Sequence, residues 1–285
     1  MKLMRHGPAG QERPGILGED GSLRDLSALL EEIGPRQLSP ESLAALRSID
    51  WRQLPVVQGS PRLGAPFSGT RKFVAIGLNY HDHAEESGQP IPREPVVFNK
   101  WSSCIGGPND DIVLPVGSSM LDWEAELGVV IGTTASQVSE AHALACVAGY
   151  CVVNDVSERD YQLQRDGGQW DKGKGFDTFG PIGPWLVTAD EVGDPQNLNV
   201  WLKVNGEMRQ NGNTGRMIYS CARLVSYCSS LMTLEPGDII TTGTPAGVGL
   251  GFKPPQFLKP GDTVELGIEK LGTQRQVVRV NGQRV

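Results

Sequence analysis

In the stretch "SSMLDWEAELGVVIG", residues 118–132, Asp122, Glu124 and Glu126 recur at every second position just before an apolar run. Successive side chains of a β-strand point to opposite faces, so these carboxylates would share one side, with Trp123, Ala125 and Leu127 on the other. Carboxylates about 7 Å apart repel when ionised, more strongly where water is excluded, and a divalent cation between them would remove that cost. The alternative is an exposed edge strand with a solvated acidic face. A further acid bears on the choice: "AGYCVVNDVSERD" carries an apolar, core-type strand straight into Asp155. Glutamates and an aspartate, with no Cys or clustered His beside them, are hard oxygen donors that suit Mg²⁺ or Mn²⁺ far better than Zn²⁺.

A second constellation lies in "AIGLNYHDHAEESG", a strand leading into a short helical pattern. On a helix His83 and Glu86, at i and i+3, face the same way, close enough for the carboxylate to orient the ring in an acid–base dyad. His81 projects elsewhere, and the plain alternative for the pair is solvation on a surface helix. Lys172 and Lys174 lie in "QWDKGKGFDTFGPIGPW", whose glycines imply a tight or mobile turn where a lone lysine ordinarily faces water. In "GDIITTGTPAGVGLG" a turn follows a strand; it lacks the Gly-Lys-Ser/Thr ending of a nucleotide loop, yet its N–H groups and the Thr244 hydroxyl could bind a carboxylate. Five cysteines (Cys104, Cys146, Cys151, Cys221 and Cys228) form no C-x-x-C pair and are expected to be reduced, mostly buried thiols.

Holding such groups in place takes a folded frame, and 285 residues with 39% hydrophobic and 21% charged content can build one. A net charge of -7 without a Lys/Arg stripe argues against nucleic acid and for a small-molecule ligand. No apolar run approaches the roughly 20 residues of a membrane span, and the start has no apolar leader pattern, so a cytoplasmic protein without membrane contact is expected. Residues 1–70 should form a small N-terminal domain and linker, the linker being "LPVVQGSPRLGAPFSGTRK", and residues 71–285 the main domain. Short β-type runs dominate the latter: "FVAIGLN", "AELGVVIG", "GYCVVND", "NVWLKVNGEMRQ", "DIITTG", "TVELGIE" and "QRQVVRV". Asn205-Gly206 signals a hairpin, and helices are expected in "SPESLAALRSID", "HDHAEESG", "SEAHALACVAG" and "MIYSCARLVSYCSSLM". The fold class is therefore strand-dominated α+β.

Taken together, "IGLNYHDHAEE", "DWEAELGVVIG", "GYCVVNDVSERD", "KGKGFDTFGP", "LKVNGEMRQ" and "GDIITTGTPAGVG" resemble, in order and spacing, the fumarylacetoacetate hydrolase superfamily, from about residue 70 to the C-terminus. The resemblance implies a mixed β-roll, a homodimer or higher homo-oligomer, and Mg²⁺ or Mn²⁺ held by Glu124, Glu126 and Asp155. It further implies that His83 and Glu86 activate water on a lid, that Lys174 is catalytic, and that Arg159, Gln162, Lys174 and Thr244 contact the keto-acid end of a substrate. The N-terminal part, "KGKGFDTFGPIGPWLVT" and "GFKPPQFLKPGD" look most like bacterial 2,4-diketo-3-deoxy-L-fuconate or L-rhamnonate hydrolases, whose relatives are often labelled ureidoglycolate lyase. The expected activity is hydrolysis of the C3–C4 bond of an acylpyruvate to pyruvate and a second acid such as lactate. Oxaloacetate decarboxylation, keto-enol isomerisation and non-catalytic keto-acid binding are the rival readings.

Overall fold

The computed structural model describes residues 1–280. Strands β1 (Lys2–His6), β2 (Arg13–Leu17) and β3 (Leu23–Asp25) form an antiparallel meander, followed by helix α1 (Pro40–Arg47). That helix starts where it does because the Ser39 hydroxyl accepts the Ser42 N–H and Pro40 fills the first turn. Beyond the linker come β4 (Phe73–Gly77), α2 (His81–Ser87), β5 (Val96–Lys100), β6 (Ile105–Gly106), β7 (Ile112–Leu114), β8 (Leu121–Asp122) and β9 (Ala125–Ile131). Next are α3 (Glu140–Ala143), β10 (Val147–Asn154), β11 (Ser157–Glu158), α4 (Asp171–Lys174), β12 (Gly180–Thr188) and α5 (Ala189–Val192). The chain closes with β13 (Asn199–Val204), β14 (Glu207–Asn213), α6 (Cys221–Leu231), β15 (Ile239–Thr241), β16 (Thr263–Ile268) and β17 (Gly272–Val280).

The main sheet runs β3-β2-β1-β12-β10-β9-β15-β4-β5, and a second, β14-β13-β16-β17-β7, packs on its centre. Strands β9 and β10 are buried along their whole length, which accounts for their apolar character apart from Glu126 and Asn154 at the end that carries the site. Strand direction is what gathers the functional segments. Parallel pairing of β4 with β15 brings the loops that leave both strands to one end of the sheet. Because β9 is antiparallel to β15, its beginning, with Glu124 and Glu126, lies at that same end; β10, antiparallel to β9, delivers Asn154 and Asp155 there. Among the described residues no helix is long and apolar enough to cross a membrane.

Most expected elements form, including the β13–β14 hairpin, in which both Asn205 (φ 51°) and Gly206 (φ 81°) adopt the left-handed conformation its tight turn requires. Three expectations are corrected. The D-x-E-x-E stretch is not one strand: β8 ends at Asp122 and pairs with β11, and β9 begins at Ala125, so Asp122 does not share a strand face with the two glutamates. The helix expected in 139–149 is cut to Glu140–Ala143 and a short 3-10 turn, because pairing with β9 claims the chain from Val147. The stretch 169–185, whose glycines imply a tight or mobile turn, becomes strand β12 from Gly180 onward; the strand accommodates Pro184 where its register with β10 shifts between Tyr150 and Val152, leaving that proline out of the ladder.

Candidate active site

Glu124, Glu126 and Asp155 are buried, with one ligand-type oxygen from each lying within 4.8 Å of the others. Their meeting is a matter of register: Glu126 sits opposite Val153, and the Asp155 N–H donates to the Glu124 carbonyl at 2.9 Å. Glu126 accepts from the Thr241 hydroxyl at 2.5 Å and the Gly243 N–H at 2.8 Å. Lys174, at the end of α4, donates to Glu124 Oε2 at 2.6 Å and Asp155 Oδ2 at 2.8 Å. A residue the sequence reasoning missed, Lys100 at the end of β5, is fully buried and donates to Asp155 Oδ1 at 2.6 Å and to the carbonyl of Lys174.

Two features set Lys174. The Asp171 carboxylate accepts the Asn99 N–H at 2.7 Å, tying α4 to β5. Gly173 lies against the Glu158 carbonyl and Gln162, where an added Cβ would come within 2.5 Å, so the glycine allows the close approach that buries the lysine. Burial disfavours its charge, but Asp155 and Glu124 more than compensate and hold the ammonium above the ordinary lysine range. Lys172, by contrast, is exposed.

Arg159 precedes a wide π-type turn, Asp160–Gln164, that places Gln162 beside it. Its guanidinium donates to Asp122 at 2.8 Å, to Glu124 at 2.7 Å and to Gln162 Oε1 at 2.9 Å. Asp122 is thus an anchor rather than a ligand: it also accepts from the N–H groups of Trp123, Gly249 and Leu250.

His83 and Glu86 form the expected pair, Nδ1 to Oε2 at 3.1 Å, with the other Glu86 oxygen accepting the Gly247 N–H at 2.9 Å. The glycine-rich segment after β15 therefore serves the chain's own acids: Gly243 holds Glu126, Gly247 holds Glu86, and Gly249 with Leu250 holds Asp122. The Thr244 hydroxyl is likewise engaged, donating to the Ala125 carbonyl at 2.9 Å and accepting from Gln210 at 2.7 Å, so this residue lines the site with its hydroxyl already committed. Gln210, on β14, closes the motif "LKVNGEMRQ", and its type alone carries no sign of this role.

Glu124, Glu126, His83, Glu86, Arg159, Gln162, Lys174 and Thr244 line one cavity of about 390 Å³. Its donor set fits a hard divalent cation. Asp122, Glu124, Glu126 and Asp155 face Lys100, Lys174 and Arg159, leaving one negative charge in excess when all are ionised. That excess shows at Glu126. Burial, then Asp155 and Glu124, push its carboxyl well above the usual range, whereas at Glu124 burial is overcome by Lys174 and Arg159, which hold it well below. Additional positive charge among these three oxygens would relieve Glu126.

Comparison with known proteins gives the family. Residues 72–279 match the fumarylacetoacetate (FAA) hydrolase C-terminal family. A Burkholderia ambifaria protein, whose name gives a provisional hydrolase and no substrate, is 62% identical over 98% of this chain and 99% of its own. The fumarylacetoacetate hydrolase of Exiguobacterium antarcticum superposes with a TM-score of 0.87 at 35% identity, covering 99% of this chain and 100% of that one. Maleylpyruvate hydrolase from Sphingobium sp. SYK-6, solved with manganese(II) and pyruvate, gives 0.81 at 29% identity, covering 98% and 99%. The 5-carboxymethyl-2-hydroxymuconate delta-isomerase of Mycobacterium smegmatis gives 0.76 at 34%, covering 99% and 100%.

Proposed function

The chain belongs to the fumarylacetoacetate hydrolase family, a family of hydrolases and isomerases acting on small molecules, and from that premise we propose that it hydrolyses the C3–C4 bond of a 2,4-diketo acid. The observation that carries this reading is that a buried carboxylate triad, two of whose members, Glu124 and Glu126, line the cavity, meets a buried lysine and a His–Glu pair there. Glu124, Glu126 and Asp155 would hold Mg²⁺ or Mn²⁺, and a bound ion supplies Lewis-acid polarisation of the substrate's 2-keto group and shares the charge released on cleavage. Maleylpyruvate hydrolase, with manganese and pyruvate bound, is the precedent among similar proteins.

The chain's own residues do the rest. Glu86, pinned by Gly247, keeps the proton of His83 on Nδ1 and leaves Nε2 as a proton acceptor. That nitrogen takes a proton from the water whose oxygen bonds to C4 as the C3–C4 bond breaks. The electron pair stays on the pyruvate half, where the Lys174 ammonium stabilises it until C3 is reprotonated. Gln162, its oxygen held by Arg159, offers its amide N–H groups to the keto-acid end, while Arg159 keeps Glu124 and Gln162 in register.

The His83–Glu86 pair favours hydrolysis over oxaloacetate decarboxylation, which needs no activated water. The test is a panel of acylpyruvates, 2,4-diketo-3-deoxy sugar acids, oxaloacetate and enol substrates, with product identification and with EDTA and Mg²⁺ arms. Pyruvate plus a second acid, lost with EDTA and restored by Mg²⁺ or Mn²⁺, is expected. CO₂ from oxaloacetate alone, isomerisation alone, or full turnover without metal would overturn the reading.

A further inference from the structure

Beyond Glu86, whose carboxylate packs against Gly251, and Lys174, whose ammonium lies 5.3 Å from the centroid of the Phe98 ring, the cavity wall changes character. On the β4–β5 side, Trp170 packs edge-on against Phe98 with centroids 5.4 Å apart, and its indole lies so near Gly77 that an added Cβ would sit 2.2 Å from the ring. The end of β4 is glycine where the indole needs the space. On the segment after β15, Phe252 lines the cavity beside Leu250, and its ring is backed by Trp123 at 6.5 Å and by the Arg209 guanidinium at 5.3 Å. Both rings are therefore braced before any ligand arrives. Leu163, on the same wall, is 44% exposed, apolar surface that an occupant would cover.

Apart from His83, Glu86 and Lys174, which the proposed reaction already employs, polar side chains along this part of the wall are few. The Ser87 hydroxyl already donates to the Ala84 carbonyl at 3.1 Å, and Gln89 and Lys253 are exposed, where water competes for them. A tail carrying a hydroxyl on each carbon would give up water here for few replacements, whereas a hydrocarbon tail gains by burial.

We propose that this wall is a subsite for an apolar acyl group, aroyl or alkanoyl, so that the substrate is an acylpyruvate with a hydrocarbon tail rather than a diketo sugar acid; this rests on the acylpyruvate reading. The expected result is a kcat/KM for benzoylpyruvate at least about tenfold above that for a 2,4-diketo-3-deoxy hexonate. Phe252→Ala and Trp170→Ala should each lower it about tenfold or more for benzoylpyruvate and change acetylpyruvate cleavage less than about threefold. A sugar acid cleaved as well or better, or equal losses for both acylpyruvates, overturns the subsite. Calorimetric binding to the wild-type protein in Mg²⁺ separates this inference from the reaction it rests on, using 2-oxo-4-phenylbutanoate, which lacks the C4 carbonyl and cannot be cleaved. Binding at least about tenfold tighter than pyruvate, with no diketo acid cleaved, would uphold the subsite and overturn the hydrolase; cleavage with no tail preference would do the reverse.

Discussion

Glu86 has each of its oxygens assigned, one to His83 and one to the Gly247 N–H, and the proposed mechanism accordingly uses it as an orienting group and His83 as the proton acceptor. Glu86→Gln keeps the shape but replaces one acceptor with a donor that cannot serve both partners. We expect kcat for diketo-acid cleavage to fall by about 10²–10⁴, with Mn²⁺ and oxalate binding unchanged, because the carboxylate triad is untouched. Cleavage at the wild-type rate in that variant would remove the pair from the mechanism. At this scale much was legible: alternation marked Glu124 and Glu126, and an acid closing an apolar strand marked Asp155. The same signal, an ionisable residue closing a strand, stands at Lys100, which the run "VVFNK" would have revealed had β5 been recognised. Asp122 was misplaced because alternation cannot report a break between two strands, here at Trp123 and Glu124.

At the scale of elements, α2 is short, ends at Gly88 with φ 65°, and leads into an exposed, proline-rich stretch. Two tethers hold this segment down: Glu86 to Gly247, and the Tyr219 hydroxyl to the Pro92 carbonyl at 2.7 Å. With so little apolar anchoring, residues 81–93 should exchange amide hydrogens quickly in the free enzyme and slow down when Mg²⁺ and oxalate bind together. Equal, strong protection in both states would show a preformed site. A second element carries a pH response. His6 is buried at the end of β1, paired with Arg13; burial lowers its pKa, Asp25 opposes this, and Arg13 adds to the lowering. A histidine depressed in the folded state gives its full stability above the ordinary value near 6.5, and loses it as pH falls through that value toward the folded one. His6 should therefore contribute a fall in melting temperature from pH 7.5 to 5.5, and His6→Phe should shrink the measured difference. Strand β12 shows why such elements escape sequence reasoning: Gly180, Pro181, Gly183 and Pro184 argue locally for a loop, and only two flanking strands overrule them.

For the whole molecule, we propose that residues 1–70 are a small domain that completes the main sheet instead of standing apart from it. Strand β1 covers the edge of β12 through Lys2↔Val187 and Leu3↔Leu186, with Leu3 fully buried. Removing residues 1–70 would bare that edge, so the truncated chain should melt lower and scatter light from association; a monodisperse product with an unchanged melting point would show the unit to be dispensable. The glycine-rich segment after β15 has a different consequence, one for change rather than for stability. Its amides secure Glu126, Glu86 and Asp122, while Leu250 and Phe252, on or beside it, line the cavity where we propose the acyl tail binds. In the proposed mechanism chemistry depends on the backbone of this stretch and selectivity on the side chains of Leu250 and Phe252, so the two are separable: a library randomised at those two positions should redirect the enzyme among substrates while the reaction itself is inherited intact.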